Sequence, residues 1–141
     1  MMEQSDEVRV LLVEDDVALA LMYQVKLERD GYTVRRAEDG EQALEALAGD
    51  LPDLIFLDVR MPRMDGLTFL ERLRASVRTR DIPVVMLSNY SEPELVARGL
   101  RLGAREYLIK TQTTPGRLSA GVRAWSRPYE FSGGQEERSP A

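Results

Sequence analysis

The 141-residue sequence contains neither cysteine nor histidine. The first absence excludes disulfides and thiolate metal sites. Together the two leave zinc without its usual ligands, so a bound metal would have to be one that accepts oxygen donors. Aromatic residues make up only 6% of the chain, with a single tryptophan. They are too few among the dispersed basic side chains to build a nucleic-acid platform, and a net charge of -5 argues the same way. No apolar run approaches the roughly 18 residues of a membrane span. Met1 to Glu7 is polar and acidic rather than a basic stretch leading into an apolar one, so a cytoplasmic protein with no membrane association is expected.

What is present is ordinary in amount: 43% hydrophobic and 30% charged residues, in a length that suits one domain with a core of its own. The charge is unevenly spread. Residues 1–90 carry 11 basic and 18 acidic side chains, whereas residues 91–127 carry 7 and 3. That split suggests two different surfaces, although solvated helix faces would give the same count.

Strand and helix signals alternate five times. Arg9 to Val13 is a buried-type strand, and Val17 to Arg29 places Val17, Leu21 and Val25 at helical spacing before Gly31 stops the helix. Tyr32 to Arg36 reads as a second strand, Glu41 to Ala48 as a short helix after the Asp39-Gly40 turn, and Asp53 to Leu57 as a third strand. Gly66 to Ala75 is amphipathic, and Pro83 to Leu87 is an apolar strand. Ser91 and Glu94 have the capping-box spacing that opens a helix running to Leu102. Arg105 to Ile109 is the last strand and Pro115 to Trp125 the last helix. Arg127 to Ala141, rich in Pro, Gly, Ser and Glu, is expected to be a flexible tail, with Tyr129 and Phe131 as candidate anchors. No second domain is expected, which makes residues 1–126 the folded unit.

Strands joined by helices run parallel through right-handed crossovers and form an open sheet covered on both faces. In such α/β sheets ligands bind beyond the carboxyl ends of the strands. The chemistry-bearing residues fall there: Glu14 and Asp15 after the first strand, Asp58 after the third, Ser88 after the fourth, Lys110 after the fifth. Two carboxylates about 4 Å apart repel by roughly 4 kcal/mol at an effective dielectric near 20, so such a cluster implies a cationic ligand. Mg2+, which takes one or two carboxylates, waters and phosphate oxygens, suits it. Asp16 fits better as a helix N-terminal acid favoured by the helix dipole, outside this set.

Four segments carry a family resemblance: Leu11-Leu12-Val13-Glu14-Asp15-Asp16, Leu54 to Gly66 with Asp58-Val59-Arg60-Met61-Pro62 inside it, Val84 to Ser88, and Tyr107-Leu108-Ile109-Lys110. In this order and spacing they resemble the receiver domain of two-component response regulators, over about residues 8–126. The resemblance implies a flavodoxin-like, doubly wound sheet of five parallel strands in the order 2-1-3-4-5. It also implies a switch phosphorylated on aspartate, not an independent enzyme.

Carried onto this sequence, the resemblance makes Asp58 the phosphoacceptor. Mg2+ would be held by Asp15, Asp58, the Arg60 backbone carbonyl and, mainly through water, Glu14. Lys110 and Ser88 would bind phosphoryl oxygens, and Ser88 and Tyr107 would form the switch. The resemblance implies as donor a phosphohistidine on a histidine kinase or histidine phosphotransfer protein, or a small phosphodonor, and with no histidine in the chain the donor must come from outside. The surface of the fourth helix, fifth strand and fifth helix, with Arg98, Arg101 and Arg105, would bind a downstream protein or a second copy of the chain.

Each residue also has a plainer reading: Asp58 and Ser88 as caps, Lys110 as a surface charge, Tyr107 as packing. Thr111 stands where the family usually has proline, which puts the loop after Lys110 in question. Arg60 and Tyr90 occupy positions that tune hydrolysis in the family, and their bulk leads us to expect slow autodephosphorylation. Two rival readings stand beside it: a receiver-like interaction module that never carries phosphate, and a haloacid-dehalogenase-type phosphatase, whose Asp-x-Asp spacing Glu14 to Val17 lacks.

Overall fold

Runs of four or five consecutive apolar residues are too short for helices and too apolar for a one-sided strand, so they become strands buried on both faces. The computed structural model describes residues 7–128. Five strands, β1 (Arg9–Val13), β2 (Thr33–Ala37), β3 (Leu54–Leu57), β4 (Val84–Ser88) and β5 (Glu106–Ile109), alternate with five helices among the described residues. The helices are α1 (Val17–Arg29), α2 (Gly40–Ala46), α3 (Gly66–Ala75), α4 (Pro93–Arg101) and α5 (Pro115–Trp125). All strand pairs are parallel, in the order β2-β1-β3-β4-β5, which is the doubly wound sheet the sequence led us to expect.

Alternate side chains of each strand enter opposite cores. Leu11, Val13, Ile55, Leu57, Val84 and Met86 pack with Ala43, Leu67, Leu70 and Leu73 from α2 and α3. Val10, Leu12, Leu54, Phe56, Val85 and Leu87 pack with Tyr23 and Leu27 of α1 and Leu118 and Val122 of α5. Each fully buried large apolar side chain contributes roughly 1.5–3 kcal/mol against the entropy of ordering the chain. Trp125 closes the second core edge-on against Phe56, with ring centroids 5.9 Å apart.

The register of the central strands decides where the polar residues go. Val13 pairs with Leu57, so the residues that follow them, Glu14 and Asp58, emerge side by side. Ser88 pairs with Ile109, which brings Lys110 to the same rim.

Helix starts are capped as the sequence suggested at Asp16, whose side chain accepts from Leu19 N. Asp39, Asp65 and Thr114 cap α2, α3 and α5 in the same way. The start of α4 differs from expectation. Ser91 does not cap it: Glu92 takes the cap position without a side-chain bond, and Pro93, with its fixed φ, opens the helix. The strand ends move by one residue. β2 begins at Thr33 because Tyr32 N is still spent on the α1 exit, donating to Leu27 O. β4 runs on to include Ser88. The expected tail beyond Pro128, with Tyr129 and Phe131, lies outside the described residues.

Close backbone approach explains two glycines beside the rim. A Cβ on Gly66 would lie 2.0 Å from the Asp58 carbonyl oxygen, and one on Gly40 would lie 2.9 Å from Met64 Cβ. The loop between β3 and α3 is therefore folded tightly over the end of β3 and against the start of α2.

Candidate functional site

The buried rim begins with Glu14. Its amide donates to Ala37 O at 3.0 Å, extending the β1–β2 ladder by one step and burying the side chain completely. Asp58 is placed in the same way, its amide donating to Val13 O at 3.1 Å, and its carboxylate is also buried. Asp15, one residue further, is exposed at the mouth. Carboxylate oxygens of Glu14, Asp15 and Asp58 all lie within 4.8 Å of one another.

One cation enters this cluster. Lys110 Nζ lies 3.0 Å from Asp58 Oδ2 and 2.7 Å from Glu14 Oε1, with all three side chains buried. Glu14 Oε2 accepts from Asp16 N at 3.0 Å, whereas Oε1 has no aligned hydrogen bond and is held by the ammonium as an ion pair. Burial first, then the charges of Glu14 and Asp15, pushes the Asp58 carboxyl up to about 7 against the pull of Lys110. Lys110 itself is moved above its ordinary value: burial works against the ammonium, but Glu14 and Asp58 outweigh it. One lysine therefore leaves the crevice short of positive charge. Three carboxylates with an oxygen each within 4.8 Å of the others, facing one ammonium, fit a hard dication such as Mg2+.

Ser88 reaches the rim at the end of β4, fully buried, but its hydroxyl is engaged elsewhere: it accepts from Tyr90 N at 2.9 Å. Tyr107 is half-buried and donates its hydroxyl to Tyr90 O at 2.7 Å. Both expected switch residues thus hold the same loop, one by its amide and the other by its carbonyl. The Arg60 guanidinium lies 4.6 Å from the centroid of the Tyr90 ring, so the two side chains stack on each other.

Several supporting residues carried no signal in the sequence. Arg36 donates through Nε and Nη2 to Glu14 O at 3.0 and 2.8 Å, fixing the backbone that presents two of the acids. Asp39, also buried, accepts from Gln42 N at 2.9 Å and from Arg63 Nε at 2.9 Å. Arg63 has the left-handed φ of 69°, costly for a non-glycine residue, and the Asp39 pair holds it there. Of the expected basic surface, Arg98 pairs with Glu71 at 2.5 Å, and Arg105 donates to the carbonyls of Trp125 and Arg127. Arg101 is exposed.

In metal-stripped protein the folded state keeps a proton on Asp58 up to about pH 7, whereas an ordinary aspartate releases it near 3.8. The folded state then binds the extra proton, so the stability from this group is full below 3.8 and is lost as pH rises through about 7. Lys110, shifted above 10.5, stays charged across that window. Urea unfolding in EDTA is expected to show stability falling between pH 4.5 and 7.5, both approximate, with a smaller fall in Asp58→Asn. Equal slopes in the two proteins would contradict the assignment.

Comparison with known proteins agrees with this geometry. Residues 10–123 match the response regulator receiver domain. The chain is 43% identical over 103 residues to the DNA-binding dual master transcriptional regulator RpaA of a Synechocystis species, covering 72% of this chain and 42% of that protein. It is 40% identical over 119 residues to the phosphate regulon transcriptional regulatory protein PhoB of Escherichia coli, covering 84% and 52%. The chain thus spans about half the length of these curated relatives. Among solved structures, a response regulator from Chloroflexus aurantiacus superposes with a TM-score of 0.79 at 34% identity, covering 86% of this chain and 98% of that one. Chemotaxis protein CheY4 of Vibrio cholerae gives 0.78 at 30%, covering 84% and 98%.

Proposed function

This chain belongs to the response regulator receiver domain family, a phosphorylatable signalling module rather than an independent enzyme, and from that premise we propose that Asp58 is its phosphoacceptor. The observation that carries the assignment is the Lys110 ammonium, shared at 3.0 and 2.7 Å between Asp58 and Glu14 with Asp15 alongside. In this reading the receiver unit is residues 1–126.

An Asp58 oxygen attacks the phosphorus of a phosphohistidine on a histidine kinase or histidine phosphotransfer protein. The P–N bond breaks and its electron pair returns to the partner's imidazole. Lys110 passes from the carboxylate to a phosphoryl oxygen. The Ser88 hydroxyl turns from the Tyr90 amide to donate to another. Glu14, Asp15, Asp58 and the Arg60 carbonyl would hold Mg2+, which when bound supplies neutralisation of charge on the transferring group. Beside the rim, α1 offers the donor protein an apolar stripe: Val17, Leu21, Met22 and Val25 are 45–65% exposed.

The output follows from the bonds that Ser88 must give up. A phosphoryl group adds up to about two negative charges and three acceptor oxygens. Drawing Ser88 toward it loosens the loop at Tyr90, to which Tyr107 of β5 is also tied. The surface of α4, β5 and α5 then changes and binds a downstream protein or a second copy. Arg101 is exposed there for such a contact, while Arg98 and Arg105 hold the surface together.

Incubation with a small acyl phosphate and Mg2+, followed by intact-mass measurement, is expected to add one phosphoryl group to the parent and none to Asp58→Asn. Labelling of the variant would remove Asp58 as acceptor, and no labelling of either would support the phosphate-independent interaction module. The Arg60 and Tyr90 stack screens the acyl phosphate from water. Tyr90→Ala is accordingly expected to lose its phosphate severalfold faster than the parent when the donor is removed, and an unchanged rate would count against the screen.

A further inference from the structure

We propose that Tyr23 is a positioning residue for Lys110, acting through the backbone of the segment between β5 and α5; the inference rests on the roles of Asp58 and Lys110 given above. Lysine has a flexible four-carbon stem, so where its ammonium sits depends on where the backbone starts it. In this chain Thr111, whose backbone is free to rotate about φ, follows the lysine. All its described peptide bonds are trans, and the chain turns out of β5 through one 3-10 turn, Lys110–Gln112.

A single 3-10 turn has poor hydrogen-bond geometry and needs outside support. Here it gets that support at Thr113, which is buried. Thr113 N donates to Lys110 O at 3.2 Å and Thr113 Oγ1 to Ile109 O at 2.8 Å, closing the turn on itself. These bonds shape the turn but do not anchor it. The anchor is the third bond: the Tyr23 hydroxyl donates to Thr113 O at 3.0 Å.

Tyr23 can bear that load because its ring is among the fully buried side chains of the α1 and α5 core. Burial also raises its phenol above 10, so it remains a donor at neutral pH. The bond joins residues 90 apart and runs from the rigid core to the loop that starts three residues before, at Lys110. The Tyr23 phenol is near enough to feel the charges of Lys110 and Glu14, but its hydrogen bond goes to the Thr113 carbonyl. Its effect passes through the turn, which one tertiary hydrogen bond ties to the core.

The test is Tyr23→Phe, which keeps the ring and removes the donor. At saturating Mg2+ and acyl phosphate, and at a temperature where urea curves show the variant folded, phosphorylation is expected to slow on the order of tenfold. The Mg2+ concentration for half-maximal rate is expected to change by less than about twofold, because the Tyr23 hydrogen bond is to the Thr113 carbonyl and not to a carboxylate. In a Lys110→Ala background, Tyr23→Phe is expected to change the rate by less than about twofold, since the group it positions is gone. Equal slowing in both backgrounds, or no slowing in either, overturns the proposal. A second readout needs no phosphate. Amide hydrogen exchange at residues 110–113 is expected to quicken in Tyr23→Phe while the β1 and β3 amides keep their protection. If the parent takes no phosphate, the Asp58 assignment fails separately and this arm decides the inference, unchanged exchange at 110–113 overturning it.

Discussion

A buried ammonium shared between two buried carboxylates is the interaction on which this structure depends. Lys110 lies between Glu14 and Asp58 at the ends of three strands, with Asp15 at the mouth. Without it, like charges this close would repel by roughly 4 kcal/mol per pair at an effective dielectric near 20. With it, the crevice still holds more acid than base, and the Asp58 carboxyl pushed up to about 7 expresses that imbalance. That shortage is the ground on which a dication and a phosphoryl group are proposed as ligands of the crevice. In the proposed reaction Lys110 would move from Asp58 to a phosphoryl oxygen, so the contact that stabilises the resting state would become a binding contact.

The fold supports this arrangement by rigidity. The in-register pairing of Val13 with Leu57 places Glu14 beside Asp58, and glycine at 66 lets the following loop return within contact of the Asp58 backbone. Arg36 clamps the Glu14 carbonyl, and the Asp39–Arg63 pair holds the β3–α3 loop in a conformation that a non-glycine residue resists. By contrast, the loop after β4 is held by Ser88 and Tyr107 through Tyr90. In the proposed switch, the Ser88 contact is the one a phosphoryl group would compete for, and the loop that would respond is the one tied by these two hydroxyls.

Much of this was legible in the sequence because it rests on local signals. The helices α1, α3 and α5 begin and end where their apolar spacing, Gly31 and Pro115 said they would. The strand runs were misjudged by only a residue, since a ladder's last bond depends on its neighbour rather than on its own residues. The four charged residues of the crevice each end an apolar run, which is why they could be picked out together. Ser91 misled because Pro93 sets the start of α4 regardless of a capping pattern. The Arg36–Glu14, Arg63–Asp39 and Tyr23–Thr113 bonds were not legible, since each joins residues 22 to 90 apart with no periodicity to mark it. The basic C-terminal third likewise looked free in the sequence, whereas Arg98 and Arg105 are spent on holding α4 and α5 in place.

The central claim is that the carboxylates of the crevice, held together against only one ammonium, form an oxygen site for Mg2+. The most direct measurement is calorimetric titration of Mg2+ into metal-stripped protein, compared with the exposed-site variant Asp15→Asn. The account predicts uptake of one ion per chain, weakened about tenfold or more by the substitution, in line with loss of one charged oxygen ligand. No uptake by the parent, or the same affinity in both proteins, would contradict it.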